Sequence, residues 1–128
     1  SNYSDLISDY INAMQNEDYA IAIKAYAPEV TKYYKENYST DPSEIAYIAD
    51  DAMQNGIYSN IKTWAEGDFL DWDVDEYYAD TFEDLGINAE AGRDVQVFYT
   101  FKNGDESDYY VFELIKVGGK WFLLSVYY

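Results

Sequence analysis

The sequence of 128 residues predicts one α+β domain, in which an N-terminal helical layer packs on an antiparallel sheet. Three observations predict this class. Apolar residues recur at helical spacing in the first half of the chain, they alternate with period two in the second half, and two hairpin signals, Asn103-Gly104 and Gly118-Gly119, divide the last third into strands. Within the domain 1–128 we therefore expect residues 1–65 to be mainly helical and 68–128 mainly β.

The first helices are predicted by apolar residues at helical spacing between Asp5 and Tyr26. The segment Asn16-Glu17-Asp18 interrupts this spacing, so two helices joined by a tight turn fit better than one long helix. Pro28 either opens a further turn or ends the second helix, because proline has no backbone N–H to donate.

A later helical stretch begins near Asp41 or Ser43, since either side chain suits the cap of a first turn. Its apolar stripe consists of Ile45, Ile48, Ala49, Ala52 and Met53. We expect Gly56 to break this helix, after which the helical period resumes at Ile57, Ile61 and Trp64.

Beyond Gly67 the pattern predicts a strand with one apolar and one acidic side. Leu70, Trp72, Val74 and Tyr78 alternate there with Asp71, Asp73, Asp75 and Tyr77. The next segment, 81–92, fits either a helical turn or a loop.

The last third, 94–128, predicts three consecutive antiparallel strands. A two-residue loop at Gly118-Gly119 places Val117 opposite Lys120, Leu114 opposite Leu123 and Phe112 opposite Ser125. One face then carries Val95, Val97, Tyr99, Phe101, Tyr110, Phe112, Leu114, Trp121, Leu123 and Tyr127. The opposite face is also largely apolar, which predicts helices on both sides of the sheet, or helices on one side and a partner on the other.

Composition excludes several classes of function. The net charge of -17 repels nucleic acid and anionic membranes, and the chain has no run of about 18 to 20 apolar residues that would insert into a bilayer. The absence of cysteine and histidine removes thiolate catalysis, disulfides and the commonest metal ligands. We predict no cofactor.

The start of the chain predicts a location outside the cytoplasm. It opens on Ser1-Asn2-Tyr3 without a basic or apolar leader, and it combines strong acidity, 16 tyrosines and no cysteine. We expect a secreted or lipid-anchored protein of a bacterial surface, with the signal or anchor absent from this sequence.

The acidic stretch carries the candidate metal ligands Asp71, Asp73 and Asp75. A calcium loop starting at Asp71 would need glycine at its sixth position and glutamate at its twelfth, where the chain has Glu76 and Phe82. A strand spreads the three carboxylates along about 13 Å. We therefore expect a solvated acidic face without a metal.

Two segments carry a resemblance to a known family: the turn Asn16-Glu17-Asp18-Tyr19 after the first helix, and the terminal run Lys116-Val117-Gly118-Gly119-Lys120-Trp121-Phe122-Leu123. With helices first and an antiparallel sheet last, the chain resembles the nuclear transport factor 2-like (cystatin-like) superfamily. The resemblance is greatest to small uncharacterised domains of bacterial lipoproteins, some of which carry a lumazine-binding label from remote similarity. It implies a strongly curved, cone-shaped sheet with a pocket at its wide end.

Because the chain has no histidine and no cysteine, a catalytic residue in such a pocket would have to be a carboxylate or a tyrosine. Glu113 is the one acid that interrupts an apolar strand face. It is either a base with a raised pKa or, as we favour, an edge position that reaches water. Tyr99 and Tyr110 are either oxyanion donors or core residues. Trp72 and Trp121 complete the candidate ligand contacts.

The tyrosine content leaves two interpretations, an aromatic interaction surface or a bias of composition. The function predicted first is a non-catalytic extracytoplasmic binding domain for a small molecule, glycan or protein, with a possible homodimer through one sheet face. The alternatives are a cofactor-free isomerase or dehydratase, with Glu113, Asp71 or Asp73 as base, and a structural spacer of an envelope protein.

Overall fold

The computed structural model describes residues 3–128, which form an α+β fold with helices first and strands after them, as predicted. The helices are α1 (Tyr3–Gln15), α2 (Tyr19–Ala22), α3 (Pro28–Asn37), α4 (Pro42–Ala49), α5 (Asp51–Gln54) and α6 (Ala79–Leu85). The strands are β1 (Ile61–Trp72), β2 (Ala91–Phe101), β3 (Tyr110–Val117) and β4 (Lys120–Tyr127). All neighbouring strands are antiparallel, and the sheet order follows the chain order.

The helical half follows most of its local signals, but the helix expected to run from Asp41 or Ser43 to Gly56 is two helices, α4 and α5, because the backbone at Asp50 is extended. Helix α1 ends at Gln15, and the predicted interruption Asn16-Glu17-Asp18 follows it, with Glu17 in a left-handed backbone of φ 56°. Pro28 occupies the first turn of α3, so it opens a helix. Asp41 caps α4, because its Oδ1 accepts a hydrogen bond of 3.0 Å from the Ser43 backbone N–H.

Two boundaries in the middle of the chain differ from the prediction. The helical period expected at Ile57, Ile61 and Trp64 is wrong: one 3-10 turn, Tyr58–Asn60, leads directly into β1. The strand expected through residue 78 ends at Trp72. Asp73 closes a turn there, because its Oδ1 accepts from the Asp75 N–H at 2.8 Å. The undecided segment 81–92 contains most of α6 and the start of β2.

The terminal hairpin has the predicted register only near its turn. Leu114 lies opposite Leu123, but a β-bulge between Glu113 and Leu114 then places Ser125 opposite Glu113 and Val126 opposite Phe112. The predicted pair Phe112 and Ser125 is wrong for this reason. The bulge also moves Tyr127 to the other side of the sheet, because Val126 takes the core position.

The two sides of the sheet have different environments. The side we call the inner face packs against the N-terminal helices and consists of Val95, Val97, Tyr99, Phe112, Leu114, Leu123 and Val126. At its centre the ring of Tyr10, from α1, lies 5.9 Å from the ring of Phe112. The opposite side, the outer face, carries Asp94, Glu113, Ile115, Ser125 and Tyr127.

Helices of the same chain cover part of the outer face as well. The Tyr78 hydroxyl, immediately before α6, contacts Glu113, and the ring of Phe82, from α6, stacks on Trp72 at 6.4 Å. Segments of this chain therefore lie on both sides of β3, which is why Glu113 and Ile115 are both buried. At the β4 edge, the Ala27 N–H donates to the Leu123 carbonyl at 3.2 Å, which covers backbone that would otherwise be an open edge.

Candidate ligand-binding groove

An open groove of about 430 Å³ lies between α3, α6 and the outer face of β3 and β4. Its walls and floor include Tyr33, Tyr34, Tyr78, Glu113, Leu124 and Ser125. Three local features place these side chains: the proline that starts α3, the left-handed backbone of Tyr78 with φ 62°, and the bulge of β4. The groove thus combines tyrosine rings with two acids, the buried Glu113 and the exposed Asp84.

Glu113 lies on the buried side of this groove, with 6% of its surface exposed. Its Oε1 accepts a hydrogen bond of 2.8 Å from the Ser125 hydroxyl, and its Oε2 accepts one of 3.1 Å from the Tyr78 hydroxyl. Burial raises the pKa of Glu113; the Ser125 and Tyr78 hydroxyls oppose this rise, whereas the nearby Asp94 carboxylate adds to it. The expected edge position reaching water is wrong, because β3 is an interior strand covered by the α6 segment.

Asp94 is the direct cross-strand partner of Glu113. It accepts hydrogen bonds from the Trp72 indole N–H at 3.0 Å and from the Tyr127 hydroxyl at 3.1 Å. Burial raises the pKa of Asp94, and these two donors partly offset the rise. Sequence reasoning missed Asp94, although a two-residue loop at Asn103-Gly104 would place residue 94 opposite 113.

A second hollow, of about 460 Å³, lies on the same face beside Asp94. Its lining includes Leu70, Tyr109 and Tyr128, whose side chains are exposed. Aromatic and aliphatic surface therefore borders both carboxylates of the outer face. Tyr109 and Tyr128 are thus exposed on this side of the sheet, while Tyr47 is exposed on α4, and an aromatic interaction surface stays a prediction.

The five ligand candidates named from the sequence do not come together. Glu113 and Trp72 lie on the outer face, and Trp72 packs 5.6 Å from the ring of Tyr78. Tyr99 lies in the core, 1% exposed, and Tyr110 packs against it at 5.3 Å. Trp121 lies elsewhere, half-buried beside Arg93. Because the sheet separates Tyr99 from Glu113, Tyr99 is not placed to act as an oxyanion donor for that carboxylate.

The acidic stretch has local structural contacts. Arg93 donates to both carboxylate oxygens of Asp71, at 2.5 and 3.1 Å, and this hydrogen bonding lowers the pKa of Asp71. Asp73 and Asp75 belong to the turn after β1, so the three carboxylates do not share a strand face. Within residues 3–128, no group of three or more Asp, Glu, His or Cys side chains is arranged to hold a metal ion.

A second buried carboxylate, Asp50, lies in the core and was also missed. It caps α5 through the Met53 N–H at 3.1 Å, and its Oδ2 accepts from the hydroxyls of Tyr10 at 2.6 Å and Tyr58 at 2.5 Å. Burial raises its pKa to about 6, while these hydrogen bonds oppose the rise. Asp50 is fully buried, so we assign it to the architecture and not to the groove.

Comparisons with protein-family models, curated proteins and solved structures gave no match to this chain. The resemblance to the nuclear transport factor 2-like superfamily therefore stays a prediction. On the inner face near Phe112 the rings are closely packed, with Tyr26 and Tyr58 at 5.8 and 6.3 Å from Tyr10. Within the described part of the chain, no helix is long and apolar enough to cross a membrane.

Proposed function

We propose that this protein is a non-catalytic, extracytoplasmic binding domain whose ligand is a small organic molecule held in the outer-face groove. The observation that carries this proposal is the position of Glu113, which is 6% exposed yet lines an open groove walled by tyrosines. The proposed location rests on composition alone, namely the charge of -17, 16 tyrosines and the lack of cysteine.

Energetic reasoning supports a ligand at this position. Burying a carboxylate is costly even when hydroxyls donate to it, so a fold without use for Glu113 would be more stable with an apolar residue there. The groove volume of about 430 Å³ lies within the range of small-molecule sites. Tyrosine rings add flat apolar contact area with polar tips, which suits small organic ligands.

The test fills the groove without disturbing the core. Thr81 is exposed on α6 and lines the groove, so Thr81→Trp should occupy it with an indole. Thr63→Trp, at an exposed position of β1, is the matched control. Both variants and the wild type are screened with a library of fragment-sized compounds by amide NMR on isotope-labelled protein.

We expect fragments that shift the signals of the groove residues in the wild type and in Thr63→Trp, and that lose this effect in Thr81→Trp. A library without groove binders, or binders that Thr81→Trp leaves unaffected, would contradict the proposal. The position of the shifts along the chain identifies the site independently of the variants.

One observation favours the enzyme alternative: burial raises the pKa of Glu113, as is typical of a general base. The other two candidate bases already have structural contacts. Asp71 accepts hydrogen bonds from Arg93, and Asp73 accepts one from the Asp75 N–H within a turn. A binding domain releases its fragments unchanged, whereas an isomerase or dehydratase converts some of them. The NMR spectrum of the fragments themselves, followed over hours in the same samples, distinguishes the two.

A further inference from the structure

Building on the proposed function, we infer that the groove ligand is a small organic cation, an ammonium group joined to an aromatic or similarly flat apolar group. The ammonium lies against Glu113, and the apolar part lies between Tyr33, Tyr34 and Leu124. The inference depends on three properties of the groove: free acceptor capacity, uncompensated charge and aromatic walls.

Glu113 has acceptor capacity to spare. A carboxylate offers about four acceptor positions, and the hydroxyls of Ser125 and Tyr78 supply one hydrogen each. An ammonium supplies three donors at a single point, which suits a carboxylate reached from one side only. A charged donor also forms a stronger hydrogen bond to a carboxylate than the hydroxyl of a neutral ligand does.

The negative charge at the groove has no cationic partner. The partners of Glu113 are neutral hydroxyls, and its cross-strand neighbour Asp94 is a second acid, itself held by Trp72 and Tyr127. The described residues that line the groove include the acid Asp84 but no lysine or arginine. Among residues 3–128 the one ion pair is Arg93 with Asp71. A cationic ligand offsets the charge of a buried carboxylate, whereas an anionic ligand would be repelled.

The walls of the groove suit the rest of such a molecule. Tyr33 and Tyr34 lie with ring centroids 5.9 Å apart and edge-to-face, and Tyr78 stands on the α6 side. Aromatic faces attract cations as well as apolar rings. A ligand with both groups therefore gains from the carboxylate and buries apolar area against the walls, whereas a purely polar cation has no apolar area to bury there.

The test compares two probes that differ in charge and hardly in shape, 2-phenylethylammonium and 2-phenylethanol. Their dissociation constants are measured by NMR titration of the wild type, Glu113→Gln and Glu83→Gln. Glu83 is exposed on α6 and does not line the groove, so Glu83→Gln makes the same chemical change outside the site. We expect the wild type to bind the ammonium about tenfold or more tightly than the alcohol, the size of one charged hydrogen bond.

In Glu113→Gln this preference should fall below about threefold, because the ammonium loses more affinity than the alcohol does, while Glu83→Gln keeps the preference. Equal binding of both probes at the groove would overturn the cation inference and leave the binding function intact. A preference that survives in Glu113→Gln would overturn it as well. If neither probe shifts the groove signals, the inference fails, and the fragment screen with Thr81→Trp separately decides the proposed function.

A pH titration of the wild type keeps the inference testable if Glu113→Gln does not fold. The ionisable groups facing Glu113 are Tyr78, Asp94, Asp84, Tyr33, Tyr34 and Tyr127. From about pH 7 to about pH 4 the tyrosines stay neutral, whereas carboxylates take up protons. Affinity for 2-phenylethylammonium should fall over this range and affinity for 2-phenylethanol should not. An ammonium affinity that stays constant as the pH falls would overturn the inference.

Discussion

Asp50 is a single buried acid that makes the stability of this fold depend on pH. Burial raises its pKa to about 6, against the effect of the hydrogen bonds from Tyr10 and Tyr58. In the unfolded chain the same carboxyl titrates at about 3.9. Between these values the folded state holds a proton that the unfolded state has lost. The contribution of Asp50 to stability is therefore full below about pH 4 and is lost as the pH rises through about 6.

We predict that Asp50→Asn removes this dependence, because the amide does not ionise. The free energy of unfolding of the wild type relative to Asp50→Asn should fall by about 2 to 3 kcal/mol between about pH 4 and pH 7. Denaturant melts of both proteins across this range measure it. Asp51→Asn, at the exposed neighbouring position, is the control. Its free energy of unfolding should change with pH in parallel with that of the wild type. Parallel curves for Asp50→Asn and the wild type would contradict the assignment.

At the scale of elements, the contact between β1 and β2 depends on the absence of one side chain. Trp72 lies opposite Gly92 in the sheet, and its ring covers the place where a Cβ of residue 92 would be. This close approach lets the Trp72 indole reach Asp94 and pack against Phe82. Gly92 thereby allows the Trp72 ring to contact both Asp94 and helix α6.

We expect Gly92→Ala to displace the Trp72 ring and to destabilise the protein by about 1 to 3 kcal/mol, the usual effect of overpacking. In a Trp72→Ala background the same change should lower stability by less than about 0.5 kcal/mol, because the space is then free. Denaturant melts of the four proteins give both values. An equal effect of Gly92→Ala in both backgrounds would show that the ring contact is not the cause.

Elements governed by local chemistry were predictable from the sequence. The glycines of the two hairpins have positive φ, 92° at Gly104 and 58° and 76° at Gly118 and Gly119, and the three strands around them are where the sequence predicts them. The cap at Asp41 is equally local. The start of β1 was not predictable, because Ile57, Ile61 and Trp64 fit a helical period and only pairing with β2 decides the strand.

Only part of the groove could be predicted, because the rest of it depends on contacts between segments that are far apart in the sequence. Glu113 is recognisable as an acid within an apolar strand, and the hairpin register indicates Asp94 beside it. The partners Ser125 and Tyr78 depend on a bulge in β4 and on the path of the chain before α6. Neither has a strong local signal, since both bring together segments far apart in the sequence, where Val126 and Phe82 are buried in the core.

On the scale of the whole molecule, the net charge of -17 attracts every cation to some extent. That long-range attraction acts through solvent and weakens with salt, since the Debye length falls to about 3 Å at 1 M. Contact between an ammonium and the buried Glu113 carboxylate is screened much less. Salt therefore distinguishes a specific groove from a generally acidic surface.

The most direct test of the account is the titration of the Glu113 carboxyl carbon by NMR in about 0.5 M salt, without and with saturating 2-phenylethylammonium. We predict a pKa above the usual glutamate range in the free protein, and a lower pKa when the cation is bound, because the ligand stabilises the ionised carboxylate. An unshifted pKa in the free protein would contradict the buried position of Glu113. A raised pKa that the ammonium leaves unchanged would contradict its role in binding.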